Sequence, residues 1–184
     1  MLTERLILFG ILSIPVIWIS WRTLFNVKSH GFFRFIGWEC ILWLFSSNWR
    51  FWFADPLSVL QLFSWTFLIA SGFVVIAGVS IMRKKGKSDE KRIEKELYAF
   101  EKTSQLIDTG IFQYIRHPLY ASLIFLTWGI LLKHVTLELL AISVLSTLSF
   151  FLTSLFDEKE CIAYFGETYI AYMKRSKRFI PFIL

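Results

Sequence analysis

Five stretches of the chain are apolar over a dozen or more residues, and the charged residues gather between them. A helix needs about 20 mostly apolar residues to cross the roughly 30 Å of bilayer hydrocarbon. On that pattern the first span covers 6–21, interrupted by Pro15, a residue that kinks helices. The second covers 32–45; it is rich in aromatics and interrupted by Arg34 and Glu39. The third, 57–82, has no charge inside it. The fourth covers 118–132 and the fifth 135–156. The pattern predicts an all-α protein: a polytopic membrane helical bundle of about five transmembrane helices, closed by a C-terminal helical hairpin.

Between the third and fourth spans runs RKKGKSDEKRIEKELYAFEKTSQLIDTG, the most charged part of the chain. Its segment DEKRIEKELYAFEK has a helix-forming composition with opposite charges at helical spacing, Arg92 and Glu96 at i,i+4 and Lys91 and Glu94 at i,i+3, which predicts a solvated helix. The tail GETYIAYMKRSKRFIPFIL sets Tyr169, Tyr172 and Met173 on one helical face beside a basic cluster. That predicts an interfacial helix lying on the membrane.

Composition supports a membrane class. Of 184 residues, 55% are hydrophobic and only 18% charged, and the charge is clustered rather than spread. The mean hydropathy is +0.56. One membrane domain over 1–184 fits this length: N-terminal spans in 6–82, a cytoplasmic loop in 83–117, the hairpin in 118–156 and a cytoplasmic tail in 157–184. Eight Trp suit a chain with two membrane interfaces. The net charge of +6 would point to nucleic acid in a soluble protein. Here the basic residues flank apolar spans, so they set topology and meet lipid head groups instead. Placing 83–102 and 174–178 in the cytoplasm, with Arg22, Lys28 and Arg34 also inside, puts 48–56 outside. Five spans with the N-terminus out satisfy every basic cluster, and three do so if the first two segments do not cross.

Cys40 and Cys161 are far apart and form no CxxC pair, and no metal-ligand set is assigned. The N-terminus lacks a basic run and a small-x-small cleavage pattern, so it reads as a retained span rather than a signal peptide. The short chain and the lack of a retention signal point to a bacterial or archaeal plasma membrane rather than the endoplasmic reticulum.

The fourth and fifth spans are joined by KHVTLE at most, which requires a tight antiparallel hairpin. At 1.5 Å per residue, its two free ends lie within about 10 Å of each other in depth. His117 and Tyr120 at one end thereby meet Asp157, Glu158 and Glu160 at the other, on the cytoplasmic side.

Two simple readings compete with a functional one. Arg116 can snorkel to lipid phosphate while His117 caps the helix that Pro118 starts. The acids oppose the dipole at a helix C-terminus and need a partner, which Lys159 or the basic loop can supply. The functional reading gives both groups a ligand.

Taken in order, the motifs decide between them. GIFQYIRHPLY fits G-x-[YF]-x-x-x-R-H-P-x-Y; a hairpin follows, then the acidic pair Asp157–Glu158, then FGETYIAY as F-G-x-x-Y-x-x-Y. This ordered set, over roughly 106–181, resembles the isoprenylcysteine carboxyl methyltransferase family and the related phospholipid N-methyltransferases. The resemblance implies S-adenosylmethionine-dependent methyl transfer to a lipophilic acceptor (a carboxylate, amine or thiol) with a cofactor pocket at the cytoplasmic face. It assigns cofactor binding to Gln105, Leu106, Ile107, Phe112, His117, Pro118, Leu119, Tyr120 and Asp157, and makes Arg116 and Glu158 the catalytic candidates. The implied partners are the bilayer and a lipophilic or lipidated acceptor, with no nucleic acid.

The chain departs from the pattern twice. Asp157 stands where glutamate is usual. Thr153 stands where the carboxyl methyltransferases carry an arginine that grips the substrate carboxylate, leaving either a different acceptor or a carboxylate held by Arg116.

Two rival functions remain on sequence. Membrane reductases of the sterol-reductase type carry an R-H-P-x-Y element and use NADPH, but with Asn at x and Gly-Glu after the Tyr; here Leu119 and ASL stand there. A non-enzymatic membrane scaffold would account for the spans but not for the ordered motifs.

Overall fold

The computed structural model describes residues 2–21, 23–25, 29–85 and 105–181, and among these there are helices but no strands. In chain order the helices are α1 (Leu2–Ser20), α2 (His30–Asn48), α3 (Val59–Lys85), α4 (Pro118–Leu131), α5 (Leu137–Phe165) and α6 (Glu167–Arg175). Short 3-10 turns cover Trp49–Phe51 and Gly110–Gln113. The charged segment expected to form a solvated helix lies outside the described residues.

Of these helices, α1, α3 and α5 are long and apolar enough to cross a membrane. The other two expected spans, α2 and α4, fall short of that measure of length and composition for separate reasons. At 14 residues, α4 rises only about 21 Å, short of the roughly 30 Å of hydrocarbon. The 19 residues of α2 are long enough, but they include His30, Arg34, Glu39 and Asn48. Those polar groups point into the protein: His30, Arg34 and Asn48 are buried, and Glu39 accepts a 2.7 Å hydrogen bond from Ser13 on α1.

Without water to squeeze out, helices in lipid associate through close packing and interhelical hydrogen bonds. Here α2 lies along α5 and α3 along α4. Gly37 on α2 faces the ring of Phe150 on α5, and a Cβ there would come within 2.6 Å of it. Ser146 also donates to the Gly37 carbonyl at 3.4 Å. On the other pair, Ser64 and Ser71 of α3 donate to the carbonyls of Gly129 and Ser122 of α4, each at 2.7 Å. The core between the pairs contains Ile41, Leu44, Tyr120, Ile130, Leu131 and Phe150. Outward, α1 exposes Ile7, Ile11, Ile14 and Trp18, and α3 exposes Leu62, Ile69, Phe73 and Ile76. Contiguous apolar faces of this extent suit a lipid neighbour.

One boundary matters for the site. The fifth apolar run ends at 156 in the sequence pattern, yet α5 continues to Phe165. It stops at Gly166, whose φ of +58° and ψ of −135° suit only glycine. Asp157, Glu158 and Glu160 therefore lie inside the helix, between one and about two turns before its end, and the expected clash with a C-terminal dipole does not arise.

Candidate functional site

Three elements converge at one end of the bundle. The segment before α4 makes a 3-10 turn at Gly110–Gln113, then runs extended to His117. The C-terminal tail holds it in place. Arg116 and His117 donate their backbone N–H groups to the carbonyls of Lys177 and Arg178 at 2.7 and 3.1 Å, and Lys177 N–H donates to the Tyr114 carbonyl at 2.9 Å. The Tyr172 hydroxyl donates to the Phe112 carbonyl at 2.6 Å. The expected membrane-surface helix is thus a correction. Tyr169 and Tyr172 do share a face of α6, but that face is buried against the protein.

Pro118 takes the first position of α4, where its missing N–H costs nothing. His117 stands at the N-cap but makes no side-chain cap bond, which removes the simple capping reading. Its imidazole turns to α5 instead. Nδ1 lies 3.5 Å from an Asp157 oxygen and Nε2 lies 3.3 Å from Glu158 Oε1. The ring also stacks on Tyr120 with centroids 5.5 Å apart.

Snorkelling of Arg116 is likewise removed, because its side chain is buried. It donates from Nε to Glu158 at 2.9 Å, and from its guanidinium to the carbonyls of Met173 and Ser176. Arg178 completes the cluster, donating to both Glu158 oxygens at 3.2 and 2.6 Å. Two guanidiniums and an imidazole thus face two carboxylates. Burial drives the His117 imidazole toward its neutral form, but hydrogen bonds and charge from Asp157 and Glu158 outweigh it and raise the pKa.

A cavity opens beside this cluster. Of the residues assigned from sequence, Leu106, Ile107, Phe112, Arg116, His117, Pro118, Leu119, Tyr120 and Asp157 line it. Gln105 is exposed and Glu158 is turned into the ion cluster, so neither lines the cavity. Met82, Cys161, Phe165, Tyr169 and Tyr172 also line it, without having been assigned. The F-G-x-x-Y-x-x-Y motif was the signal for the last three. Burial pushes both tyrosine phenols above their ordinary value, so they serve as neutral aromatic walls.

Asp157 also joins a second polar layer, whose contribution from α2 sequence reasoning missed. His30 Nδ1 is 2.7 Å from Glu160 Oε2. His30, Asp157 and Glu160 have polar side-chain atoms within 4.8 Å of one another. Buried Arg34 acts electrostatically on both His30 and Asp157. Thr153 itself is fully buried and donates to the Ser149 carbonyl at 2.8 Å. By register along α2, Arg34 falls between Gly37, which meets Phe150, and His30, which meets Glu160. A cation from α2 therefore stands near the level of α5 where the expected arginine is missing.

The site can hold a ligand through one partly exposed carboxylate, Asp157, among aromatic and aliphatic walls. Against known families, residues 60–168 match the phospholipid methyltransferase family, spanning α3, α4 and α5. No curated protein and no solved structure matches the chain. The match covers more than half of the sequence and both halves of the helical hairpin that frames the cavity, so the chain belongs to the phospholipid methyltransferase family.

Proposed function

We propose that this protein transfers a methyl group from S-adenosylmethionine to a lipophilic acceptor at the cytoplasmic face of the membrane. The observation that carries the reading is the cavity at the end of the bundle. It gathers the RHPxY segment, Asp157 and the two α6 tyrosines around one space.

The residues present fit the cofactor chemically. The Asp157 carboxylate accepts hydrogen bonds from ribose hydroxyls or an ammonium group. The rings of Phe112, Tyr120, Tyr169 and Tyr172 offer π faces to an adenine and to a cationic sulfonium. The cofactor, when bound, supplies a methyl group on a good leaving group. What the protein adds is alignment of acceptor and sulfonium, with water excluded. Arg116 and Glu158 act as positioning residues: their ion pair fixes His117 and clamps the tail against α5. Cytoplasmic placement rests on the Lys and Arg residues of 83–102 and 174–178.

Calorimetry on the purified protein tests this directly. S-adenosylmethionine is expected to bind, and Asp157→Asn and His117→Ala are each expected to weaken it by about tenfold or more, equivalent to about 1.4 kcal/mol. Methyl-labelled cofactor incubated with lipid extract is expected to leave label in lipid, and mass spectrometry then names the acceptor. Binding of NADPH with none of S-adenosylmethionine would overturn the proposal in favour of a reductase.

A further inference from the structure

Asp157 is the one carboxylate among the residues that line the cavity. The helix that carries it sets a second acid beside it. Glu160 follows by three positions on α5, so the two share a face of the helix. Like charges at that spacing repel, and both acids are half-buried. What offsets the repulsion comes from α2. His30 Nδ1 lies 2.7 Å from Glu160 Oε2, and polar atoms of His30, Asp157 and Glu160 all lie within 4.8 Å of one another. His30 is fully buried. Arg34, one turn further along α2 and also buried, acts electrostatically on both His30 and Asp157. Asp157 therefore faces two imidazoles from different elements, His117 before α4 and His30 from α2.

The charges facing His30 are Glu160 and Asp157 on α5 and Arg34 on its own helix. Burial favours the neutral imidazole, but the bond to Glu160 and the charge of Asp157 outweigh it and raise the pKa. An opposite charge within about 4–6 Å favours the ionised form of a carboxyl group by about tenfold or more. A cationic His30 thus ties Glu160 to α2 and favours a charged Asp157, where a ligand's hydroxyl or ammonium donors can meet it. The same three side chains do not point to a metal ion, because Arg34 and His117 already set positive charge against them. His30 and Arg34 lie outside residues 60–168, so this layer is an addition from α2 to the matched hairpin.

We propose that His30 is a positioning residue for Asp157: it holds Glu160 and compensates the two neighbouring acids, which leaves the Asp157 carboxylate ionised and free to meet a ligand in the cavity. That the ligand is S-adenosylmethionine rests on the methyl-transfer reading. The coupling of His30 to Asp157 does not, and it is measurable with the cavity empty.

Two measurements on the full-length protein in detergent test it. The first uses no cofactor: NMR of protein labelled at its three histidines follows the titration of His117. The groups facing His117 are Asp157 and Glu158 on α5, with Arg116 and Arg178 paired to the same Glu158. His30→Asn keeps a donor for Glu160 and removes the cation. It is expected to raise the proton affinity of His117 about threefold, because a like charge beside the shared carboxylate is gone. An unchanged His117 titration overturns the inference. Glu160→Gln, at a part-exposed position, provides a second variant should His30→Asn not fold. It is expected to lower the proton affinity of His30 about tenfold, and no change there also overturns the inference. The second measurement reads S-adenosylmethionine affinity against pH by calorimetry. His30→Asn is expected to weaken binding about threefold at pH 7 and to move its acid-side loss to higher pH. Adding Glu160→Gln removes the repelling charge and is expected to restore both. A loss that Glu160→Gln does not restore makes His30 a structural residue only and overturns the positioning role. No binding by the wild type overturns the methyl-transfer reading instead, and the first measurement then decides on His30.

Discussion

Glu158 is 4% exposed and lies between Arg116, Arg178 and His117. A buried ion cluster adds little to stability when intact, but removing one member strands the others without compensation. Glu158→Gln keeps the shape and removes the charge, leaving two guanidiniums facing a neutral amide. It is expected to lower stability by about 3 kcal/mol, read as a fall in the midpoint of thermal unfolding in detergent. A shift no larger than that of a surface glutamate such as Glu167→Gln would mean the cluster is not buried as described. His117 adds a pH dependence. Its folded-state pKa is raised above the unfolded value of about 6.5. Its stabilising contribution is therefore complete below about pH 6.5 and is lost as pH climbs through the raised value. Wild-type Tm should fall more between pH 6.5 and 9 than that of His117→Gln; parallel curves would argue against a charged imidazole at this position.

At the scale of elements, the α2–α5 contact depends on a residue with no side chain. A Cβ on Gly37 would lie 2.6 Å from the Phe150 ring, which is fully buried and has nowhere to retreat. Overpacking of this kind costs about 1–3 kcal/mol, so Gly37→Ala should lower Tm markedly. Gly72→Ala on α3, where a Cβ would meet open space, should be neutral or slightly stabilising through helix propensity. Equal shifts in the two variants would refute the packing. Elements of this kind are only partly legible in a sequence. The meeting of His117 with Asp157 was, because a tight hairpin and a fixed helical rise leave little freedom. The length of α5 was not. A run of DEKE reads as the end of a span, and only Arg116, His117 and Arg178, brought in from elsewhere, make its continuation tolerable. Tyr169 and Tyr172 were placed on the right face of the right helix but given the wrong neighbour. An amphipathic pattern names the face that seeks cover and leaves open whether lipid or protein covers it. His30 carried no local signal, and Arg34 stood out only as a charge interrupting a span, since their role comes from the register of α2 on α5.

For the whole molecule, function depends on which end of the bundle faces which side of the membrane. The rise of α5 from Leu137 to Cys161 is about 36 Å, more than the roughly 30 Å of bilayer hydrocarbon. A helix that long and that apolar, crossing the membrane, sets its two ends in different aqueous compartments. Cys161 lines the candidate cavity, and Leu137, 86% exposed, stands at the other end of the helix. In the proposed orientation, which rests on the clusters of Lys and Arg, the Cys161 end faces the cytoplasm. Cys40 is buried, so a Cys40→Ser background leaves Cys161 as the native thiol to follow. In inverted membrane vesicles a membrane-impermeant maleimide is expected to modify Cys161. In right-side-out vesicles it should instead modify the thiol introduced by Leu137→Cys in a Cys161→Ser background. Reversed labelling would put the methyl-transfer site outside, away from a cytoplasmic supply of methyl donor. Labelling of both from one side would mean α5 does not cross.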